Sequence, residues 1–488
     1  MLMKKSIKTS HALSSKTIVA EATLPVPAIA APPKATGSHG ASLDEKFEAG
    51  KALRDKVPRA AQAVWKRSAD RLDPVAILQA SDPDRLPELV PIRYGRMLQS
   101  PFAFYRGAAA VMADDLARMP STGVRVQTCG DCHLSNFGGF ASPERNVLFD
   151  INDFDETLPA PWEWDVKRLV ASFVLATRAN GLADKDGRTA AIACARSYRK
   201  RLREFTRVSP LDVWYARITA EDVAAEVPPA TADRLRARVE KAMDGSSSEY
   251  DFPRLAEIVG GRTAIRDAAP LIFHPDAART PAFEEVLNQI FTAYRETLAD
   301  DRRVLLDRYR IVDAAIKVVG VGSVGRRCWI ILLMSATNDP LFLQVKEATQ
   351  SVLEPYAGKS AYAHHGQRVV MGQRLMQPAS DLFLGWVTGP GNRQFYFRQL
   401  RDAKIKPLVE TFDEELMESY GKVCGWSLAR AHARSADVRL IAGYLGKGDE
   451  FDEAMGDFAL AYADQAERDH AALKAAVRKG SVTVTTDV

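Results

Sequence analysis

The alternation of apolar and polar positions along the chain predicts helices on both sides of a strand-rich middle. From Glu45 the pattern is helical, and Pro58 stands near a helix start or break. Val126 opens a short apolar strand. A loop dense in polar side chains follows, and Asn146 to Ile151 reads as a second strand that runs into an acidic turn. An amphipathic helix is expected over Val166 to Asn180, stopped by Gly181. Residues 184 to 310 read as mostly helical, most clearly at Thr189 to Phe205 and Phe283 to Tyr309, with surface connections at Glu226 to Pro229 and Gly245 to Ser248. The period then shortens. Ile316 to Val319, Cys328 to Met334 and Leu341 to Lys346 read as strands, and Leu382 to Thr388 with Gln394 to Leu400 as a hairpin around Gly389 to Asn392. Asp413 to Ser435 and Phe451 to Arg478 return to helix. The class is α+β.

Composition narrows the picture only a little. A chain of 488 residues, 46% hydrophobic, can bury a large core. The net charge of +4 argues against nucleic acid as the main partner, because phosphate-tracking proteins concentrate basic charge. Five scattered cysteines do not make a disulfide framework and point to a reducing, cytoplasmic setting. No apolar run is long enough for a membrane span, and residues 1 to about 45, rich in Ala, Pro, Ser and Lys, read as a disordered lead.

The chemistry concentrates in two stretches. In the first, Asp131 and Asn136 lie five residues apart in the loop, and Asp153 opens the turn after the second strand. Carboxylate and amide oxygens together suit a hard cation such as Mg²⁺, and a further carboxylate nearby can accept a proton. Loop capping by Asp and Asn side chains accounts for each residue alone but not for the joint pattern. Cys129 to His133 also matches the Cys-x-x-Cys-His pattern of covalent haem attachment, which leaves Asp131, Asn136 and Asp153 unexplained and is set aside. In the second stretch, Gly320, Gly322, Ser323 and Gly325 fall in a Gly-x-Gly-x-x-Gly run between two strands, and a third strand ends in Val345-Lys346. A dinucleotide fold needs a helix after the glycines, whereas Cys328 to Leu333 favours a strand. Gly358-Lys359-Ser360 lacks the earlier glycine of a phosphate loop, since Leu353 stands there.

Gly130-Asp131-Cys132-His133-Leu134-Ser135-Asn136 and Asn152-Asp153-Phe154 resemble the catalytic loop and metal-binding turn of the protein-kinase-like phosphotransferases, the aminoglycoside and choline kinase branch above all. Through GKALR at Gly50, RYGRM, SPFAFYRG, PWEWDVKRL, KVVGVGSVG, LQVKEA, GQRLMQ, FYFRQLRD and ARAHARSAD, the chain over residues 45 to 475 also resembles a bacterial family known only as domain of unknown function 2252. The resemblance implies a two-lobed kinase-like fold, with a helical lobe over 46–310, a small antiparallel ATP-binding lobe over 311–405 and C-terminal helices over 406–488 packed back on the helical lobe. It implies ATP and Mg²⁺ as cofactors and a small-molecule acceptor. Asp131 would orient or deprotonate the acceptor hydroxyl, Asn136 and Asp153 would hold metal, and the glycine loop and Lys346 would cradle phosphate. Glu347 or, better, Glu354 would pair with Lys346, and Asp165 would brace the catalytic loop or simply cap its helix. Two departures stand: Arg327 occupies the place of the kinase valine, and the ATP lobe follows the catalytic loop, so either the lobe is circularly permuted or one of the two matches is accidental. Nucleotidyl transfer on the same fold, or an inactive nucleotide-binding scaffold, remain open.

Overall fold

A computed structural model describes residues 42–244, 252–400 and 404–486. Most of the N-terminal lead, the connection at Gly245 to Ser248, and Arg401 lie outside the described residues.

Alternation drives the central sheet. β7 (Ile272–Phe273), β8 (Tyr309–Lys317), β9 (Cys328–Ser335), β10 (Pro340–Glu347), β11 (Gly385–Gly389) and β12 (Arg393–Gln399) form one antiparallel sheet in the order β11-β12-β10-β9-β8-β7. The β9–β10 turn uses Asn338 at positive φ, a conformation Asn tolerates better than most residues. Leu341, Leu343 and Val345 of β10 face one way and pack with Phe283 and Tyr294 of the helix Pro281–Arg295. Phe342, Gln344 and Lys346, two residues apart, face the other way toward the helical body. A short hairpin, β5 (Ala256–Val259) and β6 (Arg262–Ile265), covers part of that inner face with Leu255, Ala256 and Ile265 against Ile330, Leu332 and Phe342. The sequence reading missed this hairpin inside a stretch taken as helical, because each strand is only four residues long. It also ran the helix at Phe283 on to Tyr309. The chain instead breaks after Arg295, makes a short helix Asp300–Leu306 and enters β8 at Tyr309.

The helical body is built from both ends of the chain. Helix Asp184–Phe205 lies along helix Glu414–Ala433, and helix Glu450–Arg478 packs across Trp162–Ala179. Gly421 and Gly425 permit that closeness: a Cβ at Gly425 would stand 2.2 Å from the Cys194 carbonyl oxygen. Buried ion pairs fix the seams. Arg71 forks to Asp115 at 2.6 Å and Asp469 at 2.7 Å, and Arg430 meets Asp150 at 2.5 Å, with the side chains of both networks buried. Against this body sit two small antiparallel pairs, β1 (Arg125–Thr128) with β4 (Leu158–Pro161) and β2 (Phe137–Ala141) with β3 (Val147–Ile151). They hold the polar loop and the acidic turn between the body and the sheet. No helix among the described residues is long and apolar enough to cross a membrane.

Candidate active site

The polar loop takes its shape from one face of helix Trp162–Ala179. Asp165, Arg168 and Ser172 stand at i, i+3 and i+7, so a single polar stripe meets the loop residue by residue. Asp165 accepts the N–H groups of Cys129 at 2.8 Å and Gly130 at 3.1 Å. Arg168 donates to Asp131 Oδ1 through Nε at 2.7 Å and Nη2 at 2.5 Å. Ser172 Oγ accepts the Leu134 N–H at 3.0 Å. Thus Asp165 braces the loop from behind as expected. His432 is a packed histidine, between Tyr198 at Nδ1 and Asp165 at Nε2. Gly130 has φ +82, and a Cβ there would lie 2.4 Å from the Glu156 carbonyl, so only glycine lets the acidic turn approach.

The turn is bound to the loop by main chain and side chain together. Asn136 Nδ2 donates to the Asp131 carbonyl at 2.9 Å, and the Asn136 carbonyl accepts the Asn152 N–H at 2.7 Å. Phe154 is buried in the core and pins the turn. Asp153 is one-third exposed, at 34%, and meets only the Asp155 N–H at 3.2 Å and Lys346 Nζ at 3.9 Å. The Asn136 amide oxygen and the Asp153 carboxylate are therefore oxygens with little competition, of the type that holds a hard divalent cation. Cys129 and Cys132 are buried free thiols. With Asp165 they bring ligand atoms within 4.8 Å of one another, but the Asp165 carboxylate is already engaged by two N–H groups and His432.

Across the cleft, a strand follows the glycine loop, as the chain of apolar residues after it requires. Arginines from the helical body pin this loop through its carbonyls. Arg96 donates to Gly320 at 2.6 Å and Arg85 to Gly322 at 2.9 Å and to Val324. Gly320, Gly322 and Ser323 line the cavity, while Gly325, at φ +86, packs on Arg85 and turns the loop back into β9. Lys346 points inward from β10 but does not meet either expected glutamate. Its Nζ lies 2.5 Å from Asp155 Oδ2, and Asp155 also accepts from Tyr396 at 2.6 Å and Ser323 at 3.2 Å. Glu347, one residue along the strand, points to the other face and pairs with Arg327 at 3.2 Å and Arg393 at 2.7 Å. Glu354 accepts the Ser351 N–H and lies 3.9 Å from His365.

Two connected chambers result. The larger, about 510 Å³, is lined by Lys346, Gln344, Arg398, Leu341 and Phe140; the smaller, about 140 Å³, by Asp131, His133 and the glycine loop. Asn136, Asp153, Gly320, Ser323 and Arg106 line both, so the sites predicted from sequence meet at one junction. Burial raises Asp131 above the usual carboxylate range against the pull of Arg168 and Arg106. Burial and the neighbouring Asp155 likewise raise Asp153, against Lys346. Burial would raise Asp155 too, but Lys346 and the Tyr396 hydroxyl outweigh it and hold it at about 2. Lys346 stays charged, since Asp153 and Asp155 overcome its burial. Burial, with Arg106 and Arg168 close, drives His133 well below its ordinary value, so the imidazole facing Asp131 at 3.8 Å is neutral.

The remaining basic residues divide between scaffold and cleft. Arg93 pairs with Asp82 at 2.9 Å, and Arg368 is buried on the carbonyls of Asp155, Thr157 and Thr349. Arg374 binds the Leu384 carbonyl, whereas Gln373, Arg398 and Lys404 line the larger chamber. Sequence reading missed Arg168, Tyr396 and Arg326. The position of Arg168 three residues after Asp165 was a readable signal.

No curated protein and no solved structure matches the chain. A family model does match residues 85–476, most of the length and every residue of both chambers except Ile77, Leu78 and Ser81, and the chain therefore belongs to the DUF2252 family of uncharacterised proteins conserved in bacteria.

Proposed function

We propose that the protein is an ATP- and Mg²⁺-dependent phosphotransferase of kinase-like, circularly permuted architecture, acting on a small molecule. One observation carries this reading: Asp131, Asn136, Asp153, Lys346 and the glycine loop, drawn from stretches far apart in sequence, border connected chambers. Asn136 and Asp153 would hold Mg²⁺, which when bound offsets charge on the nucleotide phosphates. Lys346 and the backbone at Gly320, Gly322 and Ser323 supply positive charge and donors to the same phosphates. Asp131 has Oδ1 filled by Arg168, which leaves Oδ2 to accept the acceptor hydroxyl. An aspartate clamped this way favours orientation of the hydroxyl over strong proton abstraction. Transfer breaks the bond between the γ-phosphorus and its bridging oxygen, forms one to the acceptor oxygen, and releases ADP and the hydroxyl proton. Five free, buried cysteines fit a reducing cytoplasm.

Thermal melting with and without Mg²⁺-ATP tests the reading. A metal-dependent rise in melting temperature that Asp153→Ala loses is expected, because a ligand bound to the native state stabilises it by mass action. No rise at millimolar nucleotide would move an inactive scaffold ahead of the enzyme. ATP labelled at the α- or γ-phosphate then separates adenylyl from phosphoryl transfer.

A further inference from the structure

The smaller chamber carries more positive hydrogen-bonding capacity than its own residues consume. Four guanidinium groups line it, those of Arg85, Arg93, Arg106 and Arg326. Each keeps a buried nitrogen with no partner: Nε of Arg85, Arg93 and Arg106, and Nη1 of Arg326. Arg85 and Arg93 are 6% and 2% exposed, so bulk solvent does not reach them. An unmet buried donor on a charged group is costly, and such a donor normally has an acceptor when the site is filled. Arg85 meets only carbonyl oxygens, and burial beside Arg93 and Arg326 pushes it down to about 8.

The same wall carries five carboxylates, and among the described residues none of them pairs with these four guanidinium groups; Asp153 faces Lys346 at 3.9 Å. Asp131 is taken by Arg168, Asp155 by Lys346 and Tyr396, and Glu347 by Arg327 and Arg393. Glu156 accepts the Val352 N–H at 2.7 Å. Two further features add to the field. Helix Ala109–Ala117 starts at the chamber wall, at Ala109 and Ala110, with no side chain capping it. Its free N–H groups and dipole favour negative charge. His133 Nδ1, buried in the same wall, is also unpartnered.

We propose that the smaller chamber binds the anionic end of the acceptor, making the substrate a small hydroxylated oxyanion, carboxylate or phosphate, whose hydroxyl meets Asp131 Oδ2. This rests on the phosphotransferase reading for the role of Asp131, but the anion site itself does not. Size limits the class. A chamber of about 140 Å³ is close to the roughly 150 Å³ cavity that holds benzene, so it takes about six non-hydrogen atoms. A three-carbon hydroxy acid fills it, and a larger acceptor would extend into the adjoining chamber.

The test is calorimetric titration of the full-length protein with glycerate, inorganic phosphate and glycerol, each with and without saturating Mg²⁺ and a non-hydrolysable ATP analogue. Glycerate and phosphate are expected to bind, glycerol at least about ten-fold more weakly, and the anion affinity to survive saturation with nucleotide. Arg326→Gln and Arg106→Gln should each weaken glycerate about ten-fold or more, and Arg326→Lys should recover part of the loss. Strict competition between anion and nucleotide would reassign the arginines to the nucleotide phosphates and overturn the acceptor assignment. Nucleotide binding with no anion binding overturns the chamber proposal and leaves the phosphotransferase reading standing. Anion binding with no nucleotide binding does the reverse.

Discussion

Arg168 with Asp131 and Lys346 with Asp155 make the same kind of ion pair in different settings. The first lies within the helical body: helix and loop are 37 residues apart, and Arg168 is 3% exposed with Tyr105 under its guanidinium. The second joins β10 of the sheet to the acidic turn of the body, 191 residues away, with Asp155 about as exposed, at 26%, as Asp131, at 23%. The inner pair fixes the reacting carboxylate before any ligand arrives. The outer pair holds sheet and body together where a nucleotide would enter, so the lysine that is to meet phosphate already sits against two carboxylates. On the phosphotransferase reading, orientation of the acceptor would be built in, whereas positioning of the phosphates would depend on an exchange of partners by Lys346.

Four substitutions break or sharpen this contrast. The largest effect falls on turnover: Asp131→Asn should lower kcat by about 10²–10⁴-fold and leave the Mg²⁺-ATP melting shift intact. Measurable full activity in that variant would remove Asp131 from the reaction. Next, Arg168→Met leaves the partly exposed Asp131 without its cation and the buried Tyr105 carbonyl without its donor, and should destabilise by about 2–4 kcal/mol, read by urea denaturation. Lys346→Met should cost less, about 1–3 kcal/mol, because Asp155 retains Tyr396 and some solvent, yet it should abolish the nucleotide shift. Its pH signature has a definite sign. Asp155 drops from 3.8 to about 2 in the fold, so its contribution is full above about 4 and is lost as pH falls through 2. Lys346→Met should flatten acid unfolding in that window, and an unchanged acid limb would deny the pair any role.

The smallest effect is at His274, which bridges Asp267 at 2.7 Å and Asp313 at 3.1 Å beside the hairpin over the sheet. Its hydrogen bond to Asp313 raises it above 6.5 despite partial burial, with Asp267 adding to the shift. A raised histidine stabilises fully below its unfolded value and ceases to do so as pH climbs through the folded one. Solvent screening keeps the term within about 1 kcal/mol. His274→Gln should therefore lose stability at pH 5 but not at pH 9, by melting temperature.

Much of the site was legible because its parts are local. The spacing Asp131 to Asn136, the strand before Asp153, and the strand, glycine loop, strand, turn and strand through Lys346 all follow from alternation and turn chemistry over short windows. The stripe of Asp165, Arg168 and Ser172 is equally local, since helical periodicity alone puts the three on one face. Not every short strand was legible: β1 and β3 were read from their apolar residues, whereas β2, β5 and β6, of like length, did not stand out from their helical or polar surroundings.

The sequence by itself determined which chemistry-bearing residues exist, the α+β class and the elements that carry them, because propensity, period and turn residues act over a few positions. Only the tertiary structure decided which acid Lys346 meets. Glu347 is nearer in sequence but points away on the pleat, and Asp155 reaches the lysine because Gly130 and Arg368 set the acidic turn against the body. It likewise brought Arg85 and Arg326 to Arg93 and Arg106 round one small chamber, and of the four the sequence reading took only Arg93 and Arg106 together. Such meetings depend on how apolar faces far apart in the chain pack together, and no local pattern encodes that packing.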